Sequence, residues 1–308
     1  MSTRLYTHRA CAEHDTGPYH VEQIARLGAV LKALTGPDFQ ELEIVKAPMA
    51  EPETIMLAHP ESFVAQIFDL IPEQGTRHVD PDTVVSPGSK EASLRAAGAV
   101  CAAVDDVVAG HARNGFCAVR PPGHHAEANR AMGFCLFNNI AIGALYARQK
   151  HGLTRVAVVD FDVHHGNGTQ AIFWDNRDLF FGSTHQHPLY PGTGAVSERG
   201  VGNIFNAPLR PHDGSREFRT AMNERILPAL DAFEPDLILI SAGFDAHRDD
   251  PLGGLNFVEE DYAWATRELM DVAERHCDGR VVSAMEGGYN LTALGASAAA
   301  HVAALMEA

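Results

Sequence analysis

The chain has 308 residues, room for one large α/β domain or two ordinary ones with a substantial core. Its 24 basic and 40 acidic residues give a formal charge of −16, which opposes binding to nucleic acid or to anionic membranes and favours cationic partners. Five cysteines (Cys11, Cys101, Cys117, Cys135, Cys277), an odd number, contain no C-x-x-C pair, so neither a disulfide framework nor a zinc finger is indicated and reduced, cytoplasmic thiols are expected. No segment approaches the roughly 20 apolar residues of a membrane span, and the first residues lack the apolar region of a secretory signal.

In chain order, residues 4–8 read as a strand and 21–34 as a helix that stops before Gly36-Pro37. A strand is expected at Glu43–Lys46 and a helix at 62–70; residues 72–88, rich in Pro, Asp and Gly, read as a long surface loop near the site. Small apolar residues make 90–109 a helix. The strand 116–119 runs into Arg120-Pro121-Pro122-Gly123-His124-His125, where prolines end it, and a helix follows at 140–151. After the strand 156–159 come a helix at 168–174, a strand at 179–183 and a Gly- and Pro-rich loop at 184–203. Residues 217–233 form a helix despite Pro228, and 237–241 a strand; helix 259–276, strand 280–285 and an apolar helix Leu291–Glu307 close the chain. Strands alternate with helices without a linker, so the fold class is α/β: one domain over residues 1–308, with a doubly wound, mostly parallel sheet covered on both faces.

The stretch Val156-Ala157-Val158-Val159-Asp160-Phe161-Asp162-Val163-His164-His165-Gly166-Asn167-Gly168 organises the rest. Its charge-free start suits a strand buried on both faces, and function then belongs at its C-terminal end. Asp160, Asp162 and His164 fall at alternate positions and project from one face. Burying unpaired carboxylates there costs several kcal/mol, roughly, unless a cation compensates. At about 3.3 Å per residue, Asp162 and His164 start roughly 6.6 Å apart and can converge on one ion, with Asp160 a step behind. A polar Gly-rich loop with merely hydrogen-bonded histidines would read similarly on this stretch alone. However, three further strand ends carry polar chemistry too: His124 with His125, Asp245, and Tyr289. In an open parallel sheet all four lie along one edge.

At this point the motifs resemble the arginase/deacetylase fold and, within it, the zinc-dependent histone deacetylase family, class II-like, with the bacterial histone deacetylase-like amidohydrolases. The matching pieces are Pro121-Pro122-Gly123-His124-His125-Ala126, Gly133-Phe134-Cys135-Leu136-Phe137-Asn138-Asn139, Asp160-Phe161-Asp162-Val163-His164-His165-Gly166-Asn167-Gly168-Thr169, Ser241-Ala242-Gly243-Phe244-Asp245 and Glu286-Gly287-Gly288-Tyr289. The resemblance implies Asp162, His164 and Asp245 as zinc ligands, three N/O donors that leave open positions for water and substrate. Fe²⁺ or Co²⁺ also suits such a set, with zinc the first choice. It further implies His125 as general base and His124 as electrostatic partner or proton donor. Asp160 would orient His124 and join Ser183 and the Thr184 carbonyl in a structural potassium site. Asn167 stands where many class I members have an aspartate behind the second histidine. The Tyr289 hydroxyl would donate to the oxyanion.

The same resemblance implies a substrate tunnel lined by Gly133 and Phe134, with Tyr190 as opposite wall and Leu252 as the rim leucine. An uncharged Leu252 favours acyl-lysine in a protein or peptide over an acetylated polyamine, whereas the charge of −16 suits cationic substrates of either kind. A non-catalytic acetyl-lysine reader would not need His124, His125 and Tyr289 together. His247, two residues past Asp245, is expected to be structural or at the rim rather than a second-metal ligand. The expected activity is therefore a deacetylase hydrolysing linear amides. Homo-oligomerisation is left open.

Overall fold

The computed structural model describes residues 2–307. Ten strands are present among the described residues: β1 (Thr3–Thr7), β2 (Glu43–Lys46), β3 (Arg77–His78), β4 (Val84–Val85), β5 (Asn114–Cys117), β6 (Val156–Asp160), β7 (Leu179–Gln186), β8 (Ile204–Leu209), β9 (Leu237–Ala242) and β10 (Val281–Met285). Eight form one sheet in the order β2-β1-β5-β10-β9-β6-β7-β8, and every pairing in it is parallel. The charge-free runs explain the centre: each residue of β5, β6, β9 and β10 is buried, as a parallel sheet with both faces covered requires.

Helices α1 (Ala25–Ala33), α8 (Leu227–Phe233), α9 (Glu259–Cys277) and α10 (Leu291–Glu307) pack on one face; α2 (Pro52–Ile55), α4 (Ser89–Val108), α5 (Asn139–His151) and α6 (Asn167–Phe173) cover the other. A smaller apolar cluster under α3 (Glu61–Leu70) adds Phe63, Ile67 and Phe137 to the main core.

Several boundaries differ from expectation, each for a physical reason. Helix α1 begins at Ala25 rather than 21, because His20 Nε2 bonds the Asp82 carbonyl at 2.9 Å and its Nδ1 accepts from the Glu22 N–H, holding this segment in a turn. The strand placed at 116–119 is β5, which ends at Cys117, and the loop 72–88 contains the short antiparallel hairpin β3-β4. Strand β7 runs on through Gln186, so the loop before β8 is shorter than 184–203. Strand β8 was not expected at all. Its Asn206 and Pro208 blur the strand pattern, yet an edge strand tolerates a proline. Helix 217–233 starts earlier, as α7 (Ser215–Ala221), and passes through a π-helical turn at Met222–Ile226 that admits Pro228 near the start of α8.

The turn before α1 also delivers a buried ion cluster. Glu22, Arg26 and Arg120 are fully buried, with Glu22 accepting from Arg26 Nη1 at 2.9 Å and Arg120 Nη2 at 2.7 Å. Burial alone would raise the Glu22 carboxyl, but Arg120 and Arg26 outweigh it and hold the group well below the usual range. Its stabilisation is therefore complete above the unfolded value of about 4.3 and is lost only as pH falls through the lower folded value. Glu22→Gln leaves two buried guanidiniums short of charge, and urea unfolding should show a loss of about 3–5 kcal/mol. A loss below about 1 kcal/mol, the scale of an exposed pair, would contradict this reading.

Candidate active site

Strands β5, β10, β9 and β6 are consecutive neighbours at the centre of the sheet, and the four polar segments leave from their C-terminal ends. Sheet order therefore seats Tyr289, from β10, between the histidine pair that follows β5 and Asp245 that follows β9.

Ligand atoms of Asp162, His164 and Asp245 lie within 4.8 Å of one another, and all three residues are buried. His164 Nδ1 stands 3.1 Å from Asp162 Oδ1 and 3.1 Å from Asp245 Oδ2. Such a cluster demands positive charge. Protons alone would leave His164 raised to about 10, where its bonds to the two carboxylates overcome burial, and Asp245 pushed up to about 7 by burial and by Asp162. A divalent ion held by these three N/O donors would meet the same demand. The outward-facing oxygens are steadied by backbone: Gly287 N–H donates to Asp162 Oδ2 at 2.9 Å and Val163 N–H to Asp245 Oδ1 at 2.8 Å. Glycine is required at 243 and 287, since a Cβ at the first would collide with the Asp162 carboxylate and at the second with that of Asp245.

The rings of His124 and His125 are tilted 44° to each other with centroids 4.1 Å apart, but they differ in their partners. His124 Nδ1 donates to Asp160 Oδ2 at 2.8 Å. Burial opposes charge on His124, yet Asp160, Asp162 and Glu286 raise its pKa well above the ordinary value and favour the imidazolium. His125 is pushed the other way, first by burial and then by the neighbouring His124 and His164, so it stays neutral. Its Nδ1 lies 2.8 Å from Asn167 Oδ1, while Asn167 Nδ2 donates to Glu127 Oε1 at 2.8 Å. Glu127 thereby fixes the amide with its oxygen toward His125. That places the ring hydrogen on Nδ1 and leaves Nε2 free to take a proton.

A cavity of about 270 Å³ reaches His125 and His164 between walls of Phe134, Tyr190, Leu252 and Tyr289. Phe134 meets Tyr289 edge-on at 5.8 Å and Tyr190 meets His125 edge-on at 5.2 Å. Gly133 and Phe134 both have positive φ, +57 and +69, which turns the Phe134 ring into the cavity, and a Cβ on Gly133 would strike His125. Asp160 faces Ser183 in register across β6 and β7. Its Oδ1 accepts from Asp162 N–H and its Oδ2 from His124, while the Ser183 hydroxyl pairs with His185 Nδ1 at 2.9 Å and Thr184 Oγ1 has no partner. His247 is buried outside the ligand cluster, with Nε2 3.6 Å from Glu259.

Besides Glu127, four contributors carried no assigned role in the sequence. Glu286 accepts from the N–H groups of Gly123 and His124 at 2.6 and 3.1 Å and so fixes the loop bearing both histidines. Arg26 sets its guanidinium 4.9 Å from the Tyr289 ring centre and donates to the Gly288 carbonyl at 2.6 Å. Asp82 and Leu189 complete the cavity lining. Glu286 stood within a quoted motif; the other three had no local signal.

The family model described as "Histone deacetylase domain" matches residues 20–305. The chain is similar to a histone deacetylase-like amidohydrolase of Pseudomonas aeruginosa, 41% identical over 81% of this chain and 67% of that protein. Type-2 histone deacetylase 2 of Dictyostelium discoideum is 35% identical over 97% of this chain, which spans only 20% of that longer protein. Among solved structures, the HDA15 HD domain superposes with a TM-score of 0.94 at 35% identity, covering 99% of this chain and 88% of that one. With its all-parallel eight-stranded sheet and helices on both faces, this chain has the arginase/deacetylase fold and belongs to the histone deacetylase family.

Proposed function

We propose that residues 1–308 act as a single zinc-dependent deacetylase domain that removes acetyl or other short acyl groups from lysine side chains. The observation that carries this reading is a buried Asp162, His164, Asp245 cluster at the foot of a narrow, mainly apolar cavity with His125 and Tyr289 on its walls. Those three residues would hold a zinc ion, which would supply Lewis-acid polarisation of an amide carbonyl and acidification of water. The chain's own residues do the rest. His125 Nε2 takes a proton from the attacking water, its tautomer set by Asn167 and Glu127. His124, cationic against Asp160, stabilises developing negative charge and donates a proton to the departing amine. The Tyr289 hydroxyl donates to the carbonyl oxygen as it becomes an oxyanion. Phe134, Tyr190 and Leu252 enclose the neutral acyl-lysine stem and exclude water.

A potassium ion at Asp160, Ser183 and the Thr184 carbonyl remains part of the resemblance. The side-chain oxygens of Asp160 and Ser183 are already paired, so no step of the reaction is assigned to it. Five buried, free thiols support a reducing, cytoplasmic setting, and no described helix is long and apolar enough to cross a membrane. Nothing in this reading calls for nucleic acid.

A second reading, hydrolysis of acetylated polyamines, draws on Asp82, whose carboxylate on the cavity wall could pair with a substrate ammonium. Release of acetate from an acetyl-lysine peptide, blocked by a hydroxamate, is the expected result, with a lower kcat/KM for acetylspermidine and acetylputrescine. The reverse preference would move the assignment to polyamines. No hydrolysis of either, with zinc bound, would favour a reader.

Tyr289→Phe should retain stoichiometric zinc and lose ~10²–10³ in kcat; an unchanged kcat would remove the hydroxyl from the mechanism. By calorimetric titration, Asp245→Asn should lose high-affinity zinc binding while His247→Ala keeps it. Loss in the second variant would make His247 a ligand and overturn its placement outside the site.

A further inference from the structure

We propose that Asp250 is a positioning residue for Tyr289, tying the loop after β10 to the loop after β9 so that the tyrosine hydroxyl and the Leu252 rim are held as one unit. The proposal rests on the amide-hydrolysis reading above for its kinetic consequence, though its geometry is independent of that reading.

Asp250 is 7% exposed, and backbone donors occupy both of its carboxylate oxygens. Oδ2 accepts from Tyr289 N–H at 2.7 Å and from Asn290 N–H at 3.2 Å, and Oδ1 accepts from Leu252 N–H at 3.0 Å. Asp250 is itself fixed, its N–H donating to the His247 carbonyl at 2.9 Å, and Asn290 Nδ2 crosses back to the Asp249 carbonyl at 3.0 Å. The short segment from Asp245 to Leu252 thus delivers a candidate ligand, the tether and the rim. From the opposite side Arg26 holds the carbonyls of Glu286 and Gly288, so the backbone entering Tyr289 is gripped by a cation and its N–H by an anion.

Hydrogen bonds to an ionised acceptor are roughly twice as strong as neutral ones. The Tyr289 hydroxyl lies at the far end of a rigid ring, where a small backbone rotation becomes a large displacement, and a misplacement of about 1 Å can cost on the order of 10² in rate. Asp250 also sits at the start of α10, where Asn290 caps the helix by accepting from Thr292 and Ala293 N–H. A role confined to helix capping is therefore the alternative to exclude.

The test uses zinc-loaded protein carrying Asp250→Asn or Asp250→Ala, each alone and combined with Tyr289→Phe. Asparagine keeps the shape and one acceptor oxygen; alanine removes both. With acetyl-lysine peptide, kcat should fall about tenfold for Asn and up to ~10² for Ala, with KM within about threefold and zinc stoichiometry unchanged. In the Tyr289→Phe background the same substitutions should change residual turnover by less than about twofold, because residues acting as a unit are non-additive. Equal losses in both backgrounds would overturn the proposal in favour of a structural cap. Should the alanine variant fail to fold, the isosteric asparagine variant decides. Independently of turnover, amide hydrogen exchange at Tyr289 and Asn290 should quicken at least about tenfold in Asp250→Asn, the exchange reporting local opening. Unchanged exchange would refute the tether. Absence of hydrolysis by the unmodified chain would sink the proposed function and leave the exchange result to judge Asp250.

Discussion

Two carboxylates and an imidazole meet in a space from which water is largely excluded, and the surrounding structure depends on how that charge is balanced. Asp162 and Asp245 are fully buried and His164 nearly so. Left uncompensated, such charges would cost several kcal/mol each, roughly, even after relaxation. The fold offers partial compensation through the N–H groups of Val163 and Gly287, and a divalent cation would complete it. The demand explains the glycines at 243 and 287, the only residue type that lets backbone approach so closely.

Around this centre each reacting group is held by a partner from a distant part of the chain. Asp160 turns His124 toward the cationic form, whereas burial and the neighbouring His124 and His164 keep His125 neutral and Asn167, held by Glu127, orients it. Two adjacent imidazoles thereby acquire opposite charge preferences from environment alone, which suits the acid and base roles proposed for them. Glu286 fixes the loop that carries them, and Arg26 grips the chain leading to Tyr289. The parallel sheet makes this convergence possible because β5, β10, β9 and β6 are neighbours and release their loops at the same edge.

Much of this was legible in the sequence. Charge-free, β-branched runs such as 156–159 and 237–241 announced strands covered on both faces, and the spacing of Asp162 and His164 announced a shared site, although β6 ends at Asp160 and both residues lie in the bend that follows it rather than on a strand face. Strand β8 was hidden by Asn206 and Pro208, which an edge position tolerates, and the start of α1 by a turn whose bonds run to Asp82, far along the chain. The supporting partners were illegible for the same reason. Glu286 meets Gly123 across a separation of 163 residues and Arg26 meets Gly288 across 262, so only the assembled sheet reveals either pair.

The central claim, that the buried cluster exists to hold a divalent cation, is tested most directly by thermal unfolding of metal-free protein with and without saturating zinc, beside a variant in which Asp162 and Asp245 are both changed to Asn. Binding to the folded state alone stabilises by about 4 kcal/mol at a thousandfold excess over Kd. The account predicts a marked rise in Tm for the natural chain and none for the double variant. A Tm indifferent to zinc in the natural chain, or an equal rise in both, would contradict it.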